Sequence, residues 1–345
     1  MTDFASHGQT KTEPAERGYM VRQLAAAEFS RWEALVLQSR QGTLFHSQLW
    51  LDAVAEPYKL FGCFRGDELR GGFAAGVTGP HGNRAYHPGL TPYLGVIFPR
   101  PNGKYVTKIS AEKEVAAAFA TFLKREFNWV EFRFPPEVND LQPFMWEGFQ
   151  AGLRYTYRLS LSNLDAVLTN MDSTRRRNLN KAERLGIVVE RDIAFERVLR
   201  LCELTFQRQK QKVTFRPVAE RVEKAMRSFG RCTGFLARGY NGLEQGAVWI
   251  VWDEKRAYYL LGGYDEAAGS SNAVALALWH AIQYVALDLK LPEFDFEGSM
   301  IAPIERFFRK FGGTLMPTFT IKTHKPISFA QRVTQKAVRL INYLD

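Results

Sequence analysis

Two hydrophobic periods alternate along this chain. Runs such as GYMVRQL, WVEFRF and LRYTYRLSL place apolar residues at every second position, the period of a strand with two unlike faces. Between them, AEFSRWEALVLQ and residues 111–127 place apolar residues three and four apart, the stripe of an amphipathic helix. YKLFGCFRGDELRGGFAAGV reads as two strands around a Gly-Asp turn. The Gly/Pro/His-rich run 79–92 is a loop leading into YLGVIF, and a short helix is expected over 141–149.

The second half repeats this order. GIVVE is a strand, and Phe195, Val198, Leu199, Cys202 and Phe206 mark one helical face. CTGFLARGYNGLEQGAVWIVWDEKRAYYLLGGY is a three-stranded meander turning at Asn-Gly and at Asp-Glu-Lys. The loop DEAAGSSN opens a core helix over 273–289, which is too short and too polar to span a bilayer. A strand, a helix and the strand LMPTFTIK follow. Shifting Glu131, Phe132, Phe134 and Phe149 by 162 positions lands on Glu293, Phe294, Phe296 and Phe311, which supports an internal duplication.

The most informative stretch is EFDFEGSMIAPIERFFRKFGG, residues 293–313. Phe294 and Phe296 alternate with Asp295 and Glu297, so the two acids are expected on one side of a sheet. Pro303 suits a first helical turn, while Ile304, Phe307, Phe308 and Phe311 form one buried face and Gly312-Gly313 supplies the C-cap. Arg133 and Pro135 stand in the first copy where Asp295 and Glu297 stand in the second. Only the second copy keeps the acids, and the first is expected to shape the substrate.

Between the copies lies DSTRRRNLNKAERLG, a helix that Asp172 or Ser173 can cap and Gly186 can end. Arg175, Arg176, Arg177, Lys181 and Arg184 stand in it against Glu183. Arginine forks match phosphate oxygens, which makes this segment the phosphate-binding candidate. From Ser328 on, Phe329, Val333, Ala337, Leu340, Ile341 and Leu344 share a helical face flanked by Arg332, Lys336 and Arg339. That helix is expected to dock on the domains, with peripheral contact to an anionic membrane as its alternative use.

Charge agrees with an anionic partner: 46 basic residues against 36 acidic ones leave a net charge of +10. The three cysteines, Cys63, Cys202 and Cys232, have no ligand spacing and fit reduced thiols of a cytoplasmic protein. Six scattered histidines without an HExxH pattern predict no metal, and neither a GxSxG elbow nor a P-loop occurs. Residues 1–18 are polar, read as a disordered tail, and lack a secretion signal pattern.

The repeated order of strand, helix, meander, helix, strand, helix, strand is similar to the GNAT acyltransferase fold. With YYLLGGY, the core helix, FDFEGS, ERFFRKFGG and the basic RRRNLNKAERLGIVV, the second copy resembles the Fem-type branch, the peptidoglycan-bridge aminoacyltransferase-like proteins. The resemblance spans residues 19–325 and implies an α+β fold of two tandem GNAT-like domains. It assigns 19–160 to a degenerate first domain, 161–325 to a second, active domain led by the basic helix, and 326–345 to the terminal helix. It also implies aminolysis, in which an amine attacks an ester or thioester carbonyl, with acyl-CoA or aminoacyl-tRNA as co-substrate and no tightly bound cofactor. The implied acceptor is a phosphorylated or lipid-linked amine of the cell envelope.

In these terms Asp295 and Glu297 bind and deprotonate the amine, and Tyr264 protonates the leaving group beside Tyr259 in the acyl cleft. Arg175, Arg176, Lys181, Arg184, Arg309 and Lys310 meet substrate phosphates, and Gly269, Ser270, Ser271 and Asn272 form the donor loop. Two departures stand out. No coiled-coil arm is present, and the family's Gln/Arg-x-x-Gly-x-Gly/Ala loop is here EAAGSS, in which only Gly269 fits and Glu266 would repel a pyrophosphate. Acyl-CoA is favoured as donor. The alternatives are aminoacyl-tRNA and a non-catalytic module that binds an anionic polymer. The absence of aromatics from the basic helix counts against nucleic acid.

Overall fold

A computed structural model describes residues 18–323 apart from 55, 101 and 211. The expected terminal helix over 326–345 and the tail before residue 18 lie outside the described residues. The first half runs β1 (Tyr19–Gln23), α1 (Phe29–Gln38), α2 (Gln48–Val54), β2 (Tyr58–Arg65), β3 (Glu68–Thr78), β4 (Arg84–Tyr86), β5 (Val96–Ile97), α3 (Tyr105–Glu126), β6 (Trp129–Arg133), α4 (Gln142–Trp146) and β7 (Phe149–Ser160). Two helices, α5 (Leu164–Asn170) and α6 (Ser173–Arg184), link it to the second half. There follow β8 (Val188–Arg191), α7 (Phe195–Arg208), α8 (Arg216–Ser228), β9 (Cys232–Arg238), β10 (Glu244–Trp252), β11 (Arg256–Tyr264), α9 (Ser271–Leu287), β12 (Glu293–Asp295), α10 (Ala302–Arg309) and β13 (Thr314–Thr323).

Most of these follow the two periods, with informative differences. The helix expected over 141–149 stops at Trp146, and Phe149 opens β7 instead. α3 begins at Tyr105, six residues before the first residue expected in it, because its first turns carry exposed Tyr105 and Val106 rather than a buried stripe. The expectation of a strand through Glu297 also fails: β12 ends at Asp295, and Glu297 adopts a left-handed backbone, φ 58°.

The strands form one mixed sheet in the order β1-β2-β3-β4-β6-β13-β7-β12-β11-β10-β9-β8, with β5 against β3. Read from both ends, this order is the same series of elements, except that the last strand of each copy is exchanged. β7 closes the first copy in sequence but pairs with β12 of the second, while β13 pairs with β6 of the first. The register keeps the duplication seen in the sequence: Arg158 opposite Asp295 and Thr320 opposite Arg133 are equivalent pairs, 162 positions apart on each strand. The two exchanged strands pair with each other over the whole length of β13, Thr314–Thr323 against Phe149–Arg158.

Burial follows the same plan. One core packs α1 and α3 on β2, β3 and β6, and Ile321 of β13 reaches into it. A second surrounds α9 and receives Phe294, Phe296, Phe308 and Phe311 from the 293–313 stretch. A third joins the halves, with Phe45, Trp50 and Tyr93 of the first packed against α7, α8 and β10 of the second. Polar contacts reinforce that seam. Lys255, between β10 and β11, donates to the carbonyls of Val36, Ser39 and Gly42 at the end of α1, at 3.0, 2.7 and 2.9 Å. The Asp253 carboxylate accepts the backbone N–H of Leu44 and the Tyr258 hydroxyl.

Removing the ammonium by Lys255→Met leaves carbonyls in a poorly solvated seam without their donor. The expected loss is about 1–3 kcal/mol of stability, read from urea midpoints at unchanged slope. An unmoved midpoint would show that the halves do not lean on this contact.

Candidate active site

The site forms where two parallel neighbours part. β11 and β12 pair only at Arg256–Glu293, Ala257–Phe294 and Tyr258–Asp295. Beyond that point Phe296 donates its N–H to the Tyr157 carbonyl, so the chain stays on β7 while β11 runs on alone from Tyr259 to Tyr264. Gly298 lies so close on β7 that a Cβ there would overlap the Tyr155 carbonyl oxygen, and its φ is 72°. On its other edge β11 carries a bulge, since Leu261 is opposite Trp249 but Tyr259 is opposite Ile250. A wedge therefore opens between β11 and the segment 296–298, with a row of β11 backbone groups facing no strand.

Asp295 stands at the apex and is fully buried. Its Oδ2 accepts from Arg158 Nη2 and Nε at 3.0 and 3.3 Å. Its Oδ1 accepts from Thr156 Oγ1 at 2.7 Å, Tyr93 Oη at 3.2 Å and the Glu297 N–H at 2.8 Å. Arg158 also reaches Glu137 at 2.6 Å and Glu293 at 3.6 Å, and Arg256 bonds the same two acids at 3.0 and 3.1 Å. Two buried guanidinium groups thus face three carboxylates, and Arg133, beside Glu297, brings the cations to three.

Glu297 is the neighbour that this network leaves alone. Its Oε1 is enclosed and has no hydrogen-bond partner. Burial pushes its carboxyl well above the usual carboxylate range, the charge of Asp295 adds to this, and Arg133 opposes it. Arg133 Nη2 donates to the Glu297 carbonyl at 2.7 Å, its Nε to Thr318 Oγ1 at 3.3 Å, and its guanidinium lies over the Tyr93 ring at 5.0 Å. The left-handed turn at Glu297 is held by that donor and by the bond from its own N–H to Asp295. Tyr259 stands beside it across the wedge, its phenol pushed up by burial and by the charges of Cys202 and Glu297, its ring edge against Phe308 at 5.3 Å.

Several expected residues sit elsewhere. Asp295 and Glu297 are brought together, but by a turn rather than by strand alternation. Tyr264 is six residues beyond Tyr258 on β11, roughly 20 Å from the apex at the rise of a strand. Its ring is covered by Arg208 at 4.0 Å, so Tyr259, not Tyr264, accompanies the acids. Arg175 is no phosphate ligand: it is buried, stacked on Phe307 and Phe311 at 4.6 and 4.9 Å, and donates to the Phe307 carbonyl. That burial lowers its pKa to about 10. Arg176, Lys181 and Arg184 are exposed on α6. On α10, Arg309 pairs with Glu305 at 3.3 Å and Lys310 approaches Asp172 at 3.8 Å, which accounts for both locally.

The loop 265–270 does lead into the N-terminus of α9, capped by the Ser270 side chain, which accepts from the Asn272 N–H at 3.3 Å. Gly269 packs on the Gln245 side chain, Glu266 lies 3.9 Å from Arg208, and the Ser271 side chain lies outside the described residues. Sequence reasoning missed Arg158, Arg256, Glu137, Tyr93, Thr156 and Arg133. One signal was present: Arg154, Thr156 and Arg158 recur at every second position of β7, an unusual polar row for a strand between two others.

Asp295→Asn takes a charge from a fully buried pair and is expected to destabilise the fold by about 3–5 kcal/mol. Glu297→Gln should behave oppositely. A carboxyl whose folded pKa is raised adds stability below its unfolded pKa and loses it as pH rises through the folded value. The wild type should therefore weaken from the ordinary carboxylate range upward, and the Gln variant should weaken less. Urea midpoints across pH test this, and parallel curves would contradict the burial of Glu297.

Residues 170–307, which contain most of the wedge, match the family described as "Acetyltransferase (GNAT) domain". None of the curated proteins matches the chain. Among solved structures, FemX is similar at 13% identity and a TM-score of 0.64, over 87% of this chain and 96% of that one. The C-terminal domain of a putative lysylphosphatidylglycerol synthetase from Agrobacterium fabrum is similar at 11% identity and a TM-score of 0.57, over 91% and 97%. A tandem GNAT protein from the clavulanic acid biosynthesis pathway is similar at 12% identity and a TM-score of 0.53, over 89% and 99%. In fold, then, the chain is similar to FemX and to a tandem GNAT protein, and its GNAT domain match falls on the second copy.

Proposed function

We propose that the protein is an N-acyltransferase in which Glu297 is the general base, moving an acyl group from acyl-CoA to an amine of a cell-envelope precursor. The observation that carries this reading is the enclosed, unpartnered Oε1 of Glu297 at the head of the wedge. An enclosed carboxyl oxygen without a partner has a cost, and a substrate donor at that position relieves it. Asp295, saturated by Arg158, Thr156 and Tyr93, acts here as the group that positions Glu297 and raises its basicity. Arg133 from the first copy holds the same turn.

The chemistry follows from the placement. An incoming ammonium group gives a proton to the Glu297 carboxylate, becoming a free amine. Nitrogen attacks the thioester carbonyl, and the C–N bond forms as the C–S bond breaks. The unpaired row of β11 N–H groups offers donors to the oxyanion and to the amide-bearing arm of the donor. The proton lost by nitrogen on bond formation passes to the departing sulfur, with the Tyr259 hydroxyl as the relay. The 265–270 loop and the α9 N-terminus receive the donor's phosphates, with Glu266 turned toward Arg208.

An aminoacyl donor is the second reading. It rests on the acidic Glu266 in the donor loop and on the likeness in fold to a lysylphosphatidylglycerol synthetase domain. A phosphorylated or lipid-linked acceptor accords with the exposed cations of α6 in either case.

Thermal stabilisation by a panel of acyl-CoA thioesters, beside charged tRNA, separates the donors. A response to one acyl chain length supports acyl-CoA, a response only to charged tRNA replaces it, and silence from both favours a binding module. With the donor in hand, Glu297→Gln should lower kcat by about 10²–10⁴-fold and remove the rise of activity with pH. Arg133→Met should lower kcat with KM little changed, because the turn it holds is not a binding group. Full activity in the Gln variant would end the assignment.

A further inference from the structure

We infer that the end of the sheet around the β9–β10 turn is a docking face for an anionic lipid bilayer. Among the described residues, four large apolar side chains project there without partners: Tyr240 is 87% exposed, Val188 63%, Leu185 57% and Leu243 50%. They form one patch. A Cβ on Gly186, next to Leu185, would lie 3.5 Å from Tyr240 Cβ, Val188 is opposite Arg238 across the β8–β9 ladder, and the Gly239 N–H bonds the Leu243 carbonyl at 3.0 Å. Exposed large apolar groups side by side mark an interaction surface rather than chance exposure.

Charge selects the partner. α6 ends in the patch and carries Arg177, Lys181 and Arg184 on its surface against Glu183 alone. Of the other acids nearby, Glu190 pairs with Arg197 and Arg238, Glu244 pairs with Arg197 and Arg200, and Glu266 lies near Arg208, while Asp265 accepts the Ala267 N–H. Apolar tips ringed by cations match the boundary between headgroups and acyl chains of an anionic leaflet, where tyrosine and leucine insert and lysine and arginine meet phosphate.

The patch is also at the working end of the sheet. The Gln245 side chain touches Gly239 of the turn and Gly269 of the donor loop. β12 runs parallel to β11 toward the same end, where Met300 and Ile301 are exposed at the mouth of the wedge. A bilayer on this face would deliver an amine carried on a lipid straight to that mouth. The inference needs no assignment of the donor and stands apart from the role of Glu297.

Sedimentation of the full chain with phosphatidylglycerol and phosphatidylcholine vesicles tests it. Binding is expected to the anionic vesicles only, and to fall about tenfold or more between 50 and 500 mM salt. Leu185→Ser/Tyr240→Ser should abolish most of it, as should Arg177→Glu/Lys181→Glu/Arg184→Glu. All of these positions are exposed, so melting temperatures should stay at the wild-type value. No binding to anionic vesicles overturns the inference. So does binding that survives both sets of substitutions, which would assign the contact to another segment, and so does loss of affinity for an RNA homopolymer in the same variants without any vesicle binding.

Discussion

The Arg158 guanidinium joins the two copies at the apex of the sheet. It reaches from β7, a strand of the first copy, to Asp295 on β12 of the second, and it shares Glu137 with Arg256. Desolvating a guanidinium is tolerable only when its donors are filled with good geometry, and here the fork is filled by acids from both copies. The exchange of final strands makes this arrangement available: without β7 beside β12, Asp295 would face another backbone. The ion pair and the strand exchange therefore depend on each other, and the wedge exists because both hold β12 away from β11 after only three paired residues.

The duplicated register shows how two similar copies divide the labour. Arg133 and Asp295 occupy equivalent places in equivalent strand pairs. In the second copy that place holds a buried acid at the apex. In the first it holds a cation whose guanidinium crosses to the Glu297 carbonyl and lies on Tyr93. The first copy is thus more than a shaping partner, since it supplies Arg133, Tyr93 and Glu137 to the site of the second.

Much of the fold was legible because it is written in period. The meander, the α9 helix and the aromatic face of 293–313 follow from apolar spacing, and the offset of 162 survives as strand register. The site was legible only in part. Composition marked the acids, but their partners lie 137 to 202 positions away in sequence, at Arg158, Thr156 and Tyr93. No local pattern names those residues. The turn at Glu297 was misread for a related reason: alternation describes a side chain only while the backbone stays extended, and here Gly298 and a bond to Asp295 end the strand early. Arg175 shows the opposite error, since its place in a basic run hid a buried side chain packed on two phenylalanines.

The charge balance at the apex joins structure to chemistry. An ordinary carboxylate is a weak base for an ammonium group, since its affinity for the proton is low. Enclosure and the charge of Asp295 raise that affinity at Glu297. Arg133 opposes that rise. As the proposed base, Glu297 needs such a cation nearby but not paired with its Oε1, and the bond from Arg133 to the backbone carbonyl rather than to the carboxylate keeps that separation.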